Sequence, residues 1–209
     1  MLTYVHKEMI NEALSERMSP RALEIIIAAN IKQDSLSGQF GHDEYHFDNN
    51  AFDAGYRYIN EQRGHVIAAL LSPGVISAWI AFGRLTHTAQ DFYAHTNYVT
   101  MWLDARARNG TPPSPLEIDP VEKDLIESPK LHSGKVYMPM DATYFIPFLR
   151  KLSLALLPRD SHGWMNLDSP EQGPKFDYAR AAAIQRTKYE FEILEKILAP
   201  EMLAKFTDI

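Results

Sequence analysis

Three ionisable residues, His87, Asp91 and His95, recur at intervals of four within the stretch Arg84–Tyr98. Residues spaced this way on an α-helix are separated by roughly 40° of rotation and about 6 Å of rise. His87 and Asp91, and less directly His95, therefore aim into one pocket. The stripe they belong to reads Ile76, Ile80, Gly83, His87, Asp91, His95 and Tyr98, so a face that starts as core ends in groups that titrate. An unpaired buried charge is costly, and these side chains need partners. A divalent cation is the most economical one, and a donor set of imidazole and carboxylate suits zinc. A single His–Asp pair is better explained as a core histidine with a carboxylate on its ring nitrogen; three groups in register favour a metal.

Other segments add donors of the same kind. His6 lies on an apolar stripe with Met9, Ile10, Ala13 and Leu14, and alone it would read as a satisfied core residue. Asp34 ends the stripe Leu23, Ile26, Ile27 and Asn30. The stretch Gly38–Asn50 has glycines, acids and no clean period, and reads as a loop. A solvated acidic loop accounts for His42, Asp43 and Asp48, but less well for His46, which is flanked by Tyr45 and Phe47. His162 stands beside Gly163 in a second loop, and His132 falls in a proline-rich segment as a surface residue. Arg186 and Glu190 form either a buried ion pair or part of the site.

Helices must position these groups. Thr3–Arg17 has helical spacing; Ser19–Pro20 is a cap followed by a first-turn proline. Ala51–Leu71 reads as a helix broken near Gly64, and a long helix starts near Val75 and is expected to run to Ala107. Residues 109–140 carry Pro112, Pro113, Pro115, Pro120, Pro129 and Pro139, an irregular insertion of the kind used as a lid or binding loop. Ala142–Leu157 is a short helix interrupted by Pro147, and Asp177–Leu198 a long one. With no sustained alternation and no internal repeat, the chain reads as all-α, a single-domain bundle of about five to seven helices over residues 1–209.

Composition narrows the chemistry. The 209 residues, 45% hydrophobic, suffice for one domain with a substantial core. A formal charge of −6 argues against nucleic-acid binding by bulk positive charge. The absence of cysteine excludes thiolate sites, so a metal must use His, Asp, Glu or backbone. Apolar runs are too short to span a bilayer. Met1–Glu8 lacks the charged and apolar regions of a signal peptide, and the expectation is a cytoplasmic protein or one exported by a signal-less route.

The order His6, Asp34, His46, His87-x-x-x-Asp91, His95, with the stretch Gly83–Tyr98 and more weakly His162–Gly163 before Asn166–Pro170, resembles the zinc-dependent phospholipase C superfamily. That superfamily includes single-strand-specific zinc nucleases, and the likeness is greatest to the fungal heterokaryon-incompatibility C proteins and their bacterial relatives. The resemblance spans most of the chain, although only the central motif is distinctive. It implies up to three zinc ions: Asp34, His46, His87 and Asp91 around one, Asp91 bridging to a second held by His6, and His95 with His162 at the third. Two features depart from the pattern. Phospholipases C of this kind use the mature N-terminal amine and carbonyl as ligands, whereas Met1 stands a few residues before His6. The later His-x-x-x-Glu pair also has no counterpart after His95, leaving His162 in its place with Asp168 or Glu190 as its acidic partner.

The function this implies is a metal-dependent phosphodiester hydrolase, foremost a zinc phospholipase C acting on phospholipid at a membrane surface. Asp34 is the carboxylate expected to orient or deprotonate water, and Phe40, Tyr45, Tyr93 and Trp164 are candidates to line the pocket or touch lipid. A nuclease of the same superfamily is the alternative within this chemistry, and a metal-stabilised interaction module without turnover the alternative outside it.

Overall fold

The computed structural model describes residues 1–39, 41–106, 110–138, 140–144 and 149–209. Its helices of eight residues or more are α1 (Thr3–Leu14), α2 (Pro20–Ile31), α3 (Phe52–Leu70), α4 (Ile76–His95), α5 (Tyr98–Arg106), α6 (Lys175–Ile197) and α7 (Pro200–Thr207). Among the described residues there is no strand, only the isolated bridges Thr96–Ser133 and Lys135–Ser161. The fold is all-α. None of its described helices is long and apolar enough to cross a membrane.

Helix α4 is the axis of the bundle. Every residue from Leu85 to His95 is buried, as expected of a helix enclosed on all sides rather than laid on a surface. Helices α2, α3 and α6 pack around it, and α1 lies across α2 and α6. Local chemistry starts α2 where the sequence reading put it: Ser19 Oγ accepts from Ala22 N–H at 3.1 Å, with Pro20 in the first turn. The closeness of α2 to α4 depends on Gly83. A Cβ there would collide with the Ile26 carbonyl and stand 2.8 Å from Ala29 Cβ.

The chain departs from its expected course in three places that matter to the site. Helix α4 stops at His95 instead of continuing to Ala107, because Thr96 is extended and its hydroxyl donates to Phe92 O while accepting from Tyr98 N–H. Carbonyls freed in the last turn are taken by other segments, Ala94 O by Leu167 N–H and His95 O by Gly134 N–H. The expected loop at 38–50 instead holds single helical turns, Leu36–Gln39 and Asp43–His46. Next comes Phe47 in the left-handed region at φ 59°, so the chain reverses between His46 and Asp48. The proline-rich segment is packed against the bundle: Ile118 is fully buried, Tyr178 donates to Pro113 O at 2.6 Å, and Asn49 N–H donates to Gly134 O at 2.9 Å. Helix α3 passes through Gly64 without a break. Ala107 and Pro147 lie outside the described residues.

Gly83→Ala is expected to lower stability by about 1–3 kcal/mol through overpacking. Gly64→Ala, where a Cβ meets nothing within 4 Å, should instead raise it by about 0.5–1 kcal/mol. Denaturant melts of the two variants check the opposite signs.

Candidate metal centre

Four segments deliver donors to one end of α4. His6 comes from α1, Asp34 from the 3₁₀ turn Lys32–Asp34 that ends α2, His46 from the turn before Phe47, and His87 and Asp91 from α4 itself. Asp91 is wholly buried and faces several nitrogens. Its Oδ1 is 2.7 Å from the Met1 amine and 3.3 Å from His6 Nε2; its Oδ2 is 2.9 Å from His46 Nδ1 and 3.1 Å from His87 Nε2. Asp34, 20% exposed at its side chain, reaches 3.8 Å from His6 Nε2 and 3.7 Å from His87 Nε2. His6, Asp34, His87 and Asp91 each offer one donor atom within 4.8 Å of the others, a group that could hold a metal ion.

A second such group is Asp48, His95 and His162. Asp48 Oδ1 lies 2.9 Å from His162 Nδ1 and 3.7 Å from His95 Nδ1, while Asp168 Oδ1 stands 3.2 Å from His95 Nε2 and 3.4 Å from the Met1 amine. Residues 133–136 strap its members together. Gly134 N–H donates to His95 O, Gly134 O accepts from Asn49 N–H, and His162 N–H donates to Lys135 O. Only a glycine fits at 134, since a Cβ would stand 2.7 Å from His162 Cα. A cavity of about 240 Å³ is lined by the second group, Asp48, His95 and His162, together with Asp168, His46, Val136 and Met138, and the first group reaches it through Asp34.

The ring nitrogens test whether a cation fits. His6 Nδ1 lies 2.7 Å from Gln90 Oε1, His46 Nε2 3.3 Å from Gly38 O, and His95 Nδ1 3.1 Å from His46 O. Each of these oxygens only accepts, so each ring donates there, and a neutral ring then turns its lone pair the other way. That second nitrogen faces a carboxylate in every case: Asp34 and Asp91 for His6, Asp91 for His46, Asp168 for His95. Lone pairs opposed in this way require a proton or a metal between them. An outer nitrogen committed to a protein acceptor is what metal-ligating histidines show. His6 Nε2 is moreover buried without a hydrogen-bond partner. The residues fit a divalent ion.

Electrostatics divide the two groups. Burial presses the His87 imidazole down to about 4 despite Asp91 and Asp34, so it is neutral at physiological pH. Burial also opposes the charged form of His162, but Asp48 outweighs it and lifts His162 to about 9. Asp91 is held well below the usual carboxylate range, because the Met1 amine and the facing histidines overcome its desolvation. The Met1 amine is itself pushed up to about 11, as Asp91 and Asp168 overcome the penalty of burial.

The arrangement regroups the residues expected from sequence. His6 shares one candidate group with Asp34, His87 and Asp91. His46 stands beside that group, 3.2 Å from His87 Nε2. An acid facing His162 is Asp48, whose surroundings in the sequence suit a solvated loop; it is buried because Phe47 turns the chain inward. Glu190 is occupied elsewhere, by Arg186 Nε at 2.8 Å and by Arg63, and Asp168 sits by His95. His132 is exposed. Of the aromatics named as pocket candidates, Tyr93 is core with its hydroxyl on Pro120 O, Tyr45 stacks on His42, and Trp164 packs under Arg159. None of these three lines the cavity between the groups, and Phe40 lies outside the described residues.

An all-α scaffold whose central helix ends in buried imidazole–carboxylate groups able to hold metal is the class that this geometry defines. The chain matches the family model of the VWA7 N-terminal domain over residues 2–109, just over half its length, and it belongs to that family. No curated protein and no solved structure matches it. The matched stretch contains the whole first group together with His46, Asp48 and His95; His162 and Asp168 come from beyond it.

Asp91→Asn is expected to remove the ion of the first group alone, taking bound metal from two equivalents to one by elemental analysis, and to cost about 3–5 kcal/mol as the Met1 amine loses its buried partner. For the second group the expectation concerns pH. His162 is raised on folding, so in metal-free protein its pairing with Asp48 stabilises fully below the ordinary imidazole range and is lost as pH rises through about 9. An ion must displace that proton, and affinity at this group should climb about tenfold per pH unit toward pH 9 and then level. Chelator competition from pH 6 to 9, with the released proton counted in weak buffer, measures it.

Proposed function

We propose that the chain is a metal-dependent phosphodiester hydrolase of the zinc phospholipase C type, with phospholipid headgroups as its substrates. The observation that carries this reading is a cavity lined by the second His/Asp donor group and reached from the first by Asp34. His6, Asp34, His87 and Asp91 hold one ion with His46 alongside; Asp48, His95 and His162 hold the other. Two ions suit these groups, and the third zinc implied by the resemblance has no separate donor group among the described residues. Zinc is favoured because every donor is nitrogen or oxygen and imidazoles outnumber what calcium or magnesium sites employ. A bound divalent ion supplies Lewis acidity toward a phosphoryl oxygen and lowers the pKa of water.

The chain's own groups do the remaining work. Asp34 is the one carboxylate of the first group with exposure to the cavity, and it takes the proton of a water held there. Val136 and Met138 give the cavity an apolar wall on which the glycerol end of a lipid rests. The formal charge of −6 disfavours a nucleic-acid substrate.

The test is headgroup release from short-chain phosphatidylcholine by protein loaded with zinc, beside single-stranded DNA and a chromogenic phosphodiester. Release that stops on chelation and returns with zinc is expected. Asp34→Asn should lower the rate about 100-fold or more and weaken zinc binding at the first group, with the melting curve of the metal-free protein unchanged. Cleavage of DNA alone would make the chain a nuclease, and full metal occupancy with no hydrolysis of any substrate would make it a binding module.

A further inference from the structure

His6 is held by a string of buried polar side chains that never reaches the cavity. Asn30, Thr86, Gln90 and Thr187 are all fully buried. They come from α2, α4 and α6, and an interior of this kind gains nothing from polar groups unless each is satisfied. Two chains of hydrogen bonds through them converge on the ring, and both begin at a helix carbonyl, which can only accept.

Along the first chain, Thr187 Oγ1 donates its one proton to Ala183 O at 2.8 Å, so toward Gln90 Nε2, 3.0 Å away, it can only accept. That fixes the amide of Gln90 with its NH₂ toward Thr187 and its Oε1 toward His6. Along the second, Thr86 Oγ1 donates to Gly83 O at 2.9 Å, so it accepts from Asn30 Nδ2 at 3.2 Å. The Asn30 NH₂ then also faces Gln90 at 3.1 Å, and the atom it meets must be the acceptor Oε1. Both routes leave His6 Nδ1, 2.7 Å from Gln90 Oε1, as a donor.

We infer that Gln90 is a positioning residue for the first metal group: it locks His6 in the Nδ1–H form and so presents the Nε2 lone pair to an ion between Asp34 and Asp91. The inference rests on the metal-binding reading of that group and not on hydrolysis. It explains why a fully buried glutamine lies one residue before Asp91 on α4. His6 and Asp91 meet from different helices, and without Gln90 nothing keeps the proton of the ring on Nδ1.

The experiment is ¹⁵N NMR of the histidine rings together with zinc competition against a chelator, on the full chain. Wild-type protein is expected to show His6 protonated at Nδ1 with zinc on Nε2. Gln90→Leu should lose that signature and bind the first ion about 10–100-fold more weakly, while Gln90→Glu, which keeps an acceptor facing Nδ1, should restore both. A role confined to packing would lower the melting temperature of both variants and leave ring protonation and affinity alone, which overturns the proposal. So would wild-type zinc uptake with His6 in the Nε2–H form. Failure of the wild-type protein to take up zinc overturns the reading of the group itself. Should Gln90→Leu not fold, Thr187→Val combined with Asn30→Leu removes both hydrogen bonds that orient the Gln90 amide; weakened zinc binding with loss of the Nδ1–H signature supports the link, and unchanged binding overturns it.

Discussion

Asp91 is an ionised carboxylate with no exposure at the end of the bundle's central helix. Removing such a group from water costs several kcal/mol even after relaxation, and neighbouring donors must offset it. The Met1 amine, His46, His87 and His6 all approach it within 3.3 Å. That requirement sets the course of much of the chain. Helix α1 must bring His6 across α2 and α6, α2 must end where Asp34 can turn in, and α4 must run buried as far as His95. An apolar core of ordinary helices would not need such convergence.

The second group is built by different means. His95 is the last residue of α4, Asp48 follows a bulky residue held at positive φ, and His162 opens a single helical turn capped by Ser161. No two of these belong to one long helix. Residues 133–136 bind them through backbone hydrogen bonds to His95, Asn49 and His162, so a segment with the composition of a loose insertion works as a strap. The left-handed conformation of Phe47 costs about 1–2 kcal/mol, offset by burying its ring against Phe52, Tyr56 and Phe92. Reversing the chain there sends His46 to one group and Asp48 to the other.

The groups also differ in what they hold before any metal arrives. His87 is neutral by burial and ready to donate its lone pair, whereas His162 carries a proton kept by Asp48. His87 would thus meet a cation with its lone pair free, whereas His162 would exchange a proton for it. Behind the first, the buried string from Ala183 and Gly83 through Gln90 supplies the orientation that a surface site would leave to solvent.

Periodicity determined that the chain is helical and that His87, Asp91 and His95 share a face, and the Ser19–Pro20 cap signal determined where α2 begins. Spacing of four on a helix is a local property, and residues on one face cannot avoid one another. What periodicity could not determine is which distant donors meet. Asp48 was hidden because its burial depends on a positive φ at Phe47, a residue with no sequence preference for that region. Gln90 was hidden because an amide looks neutral until its partners from α1, α2 and α6 are known. The end of α4 at His95 is set locally by Thr96, but its freed carbonyls are taken by Gly134 and Leu167, residues far along the chain. Tertiary structure alone decided the pairing of donors, because long-range hydrogen bonds and buried charges are settled by what arrives from elsewhere.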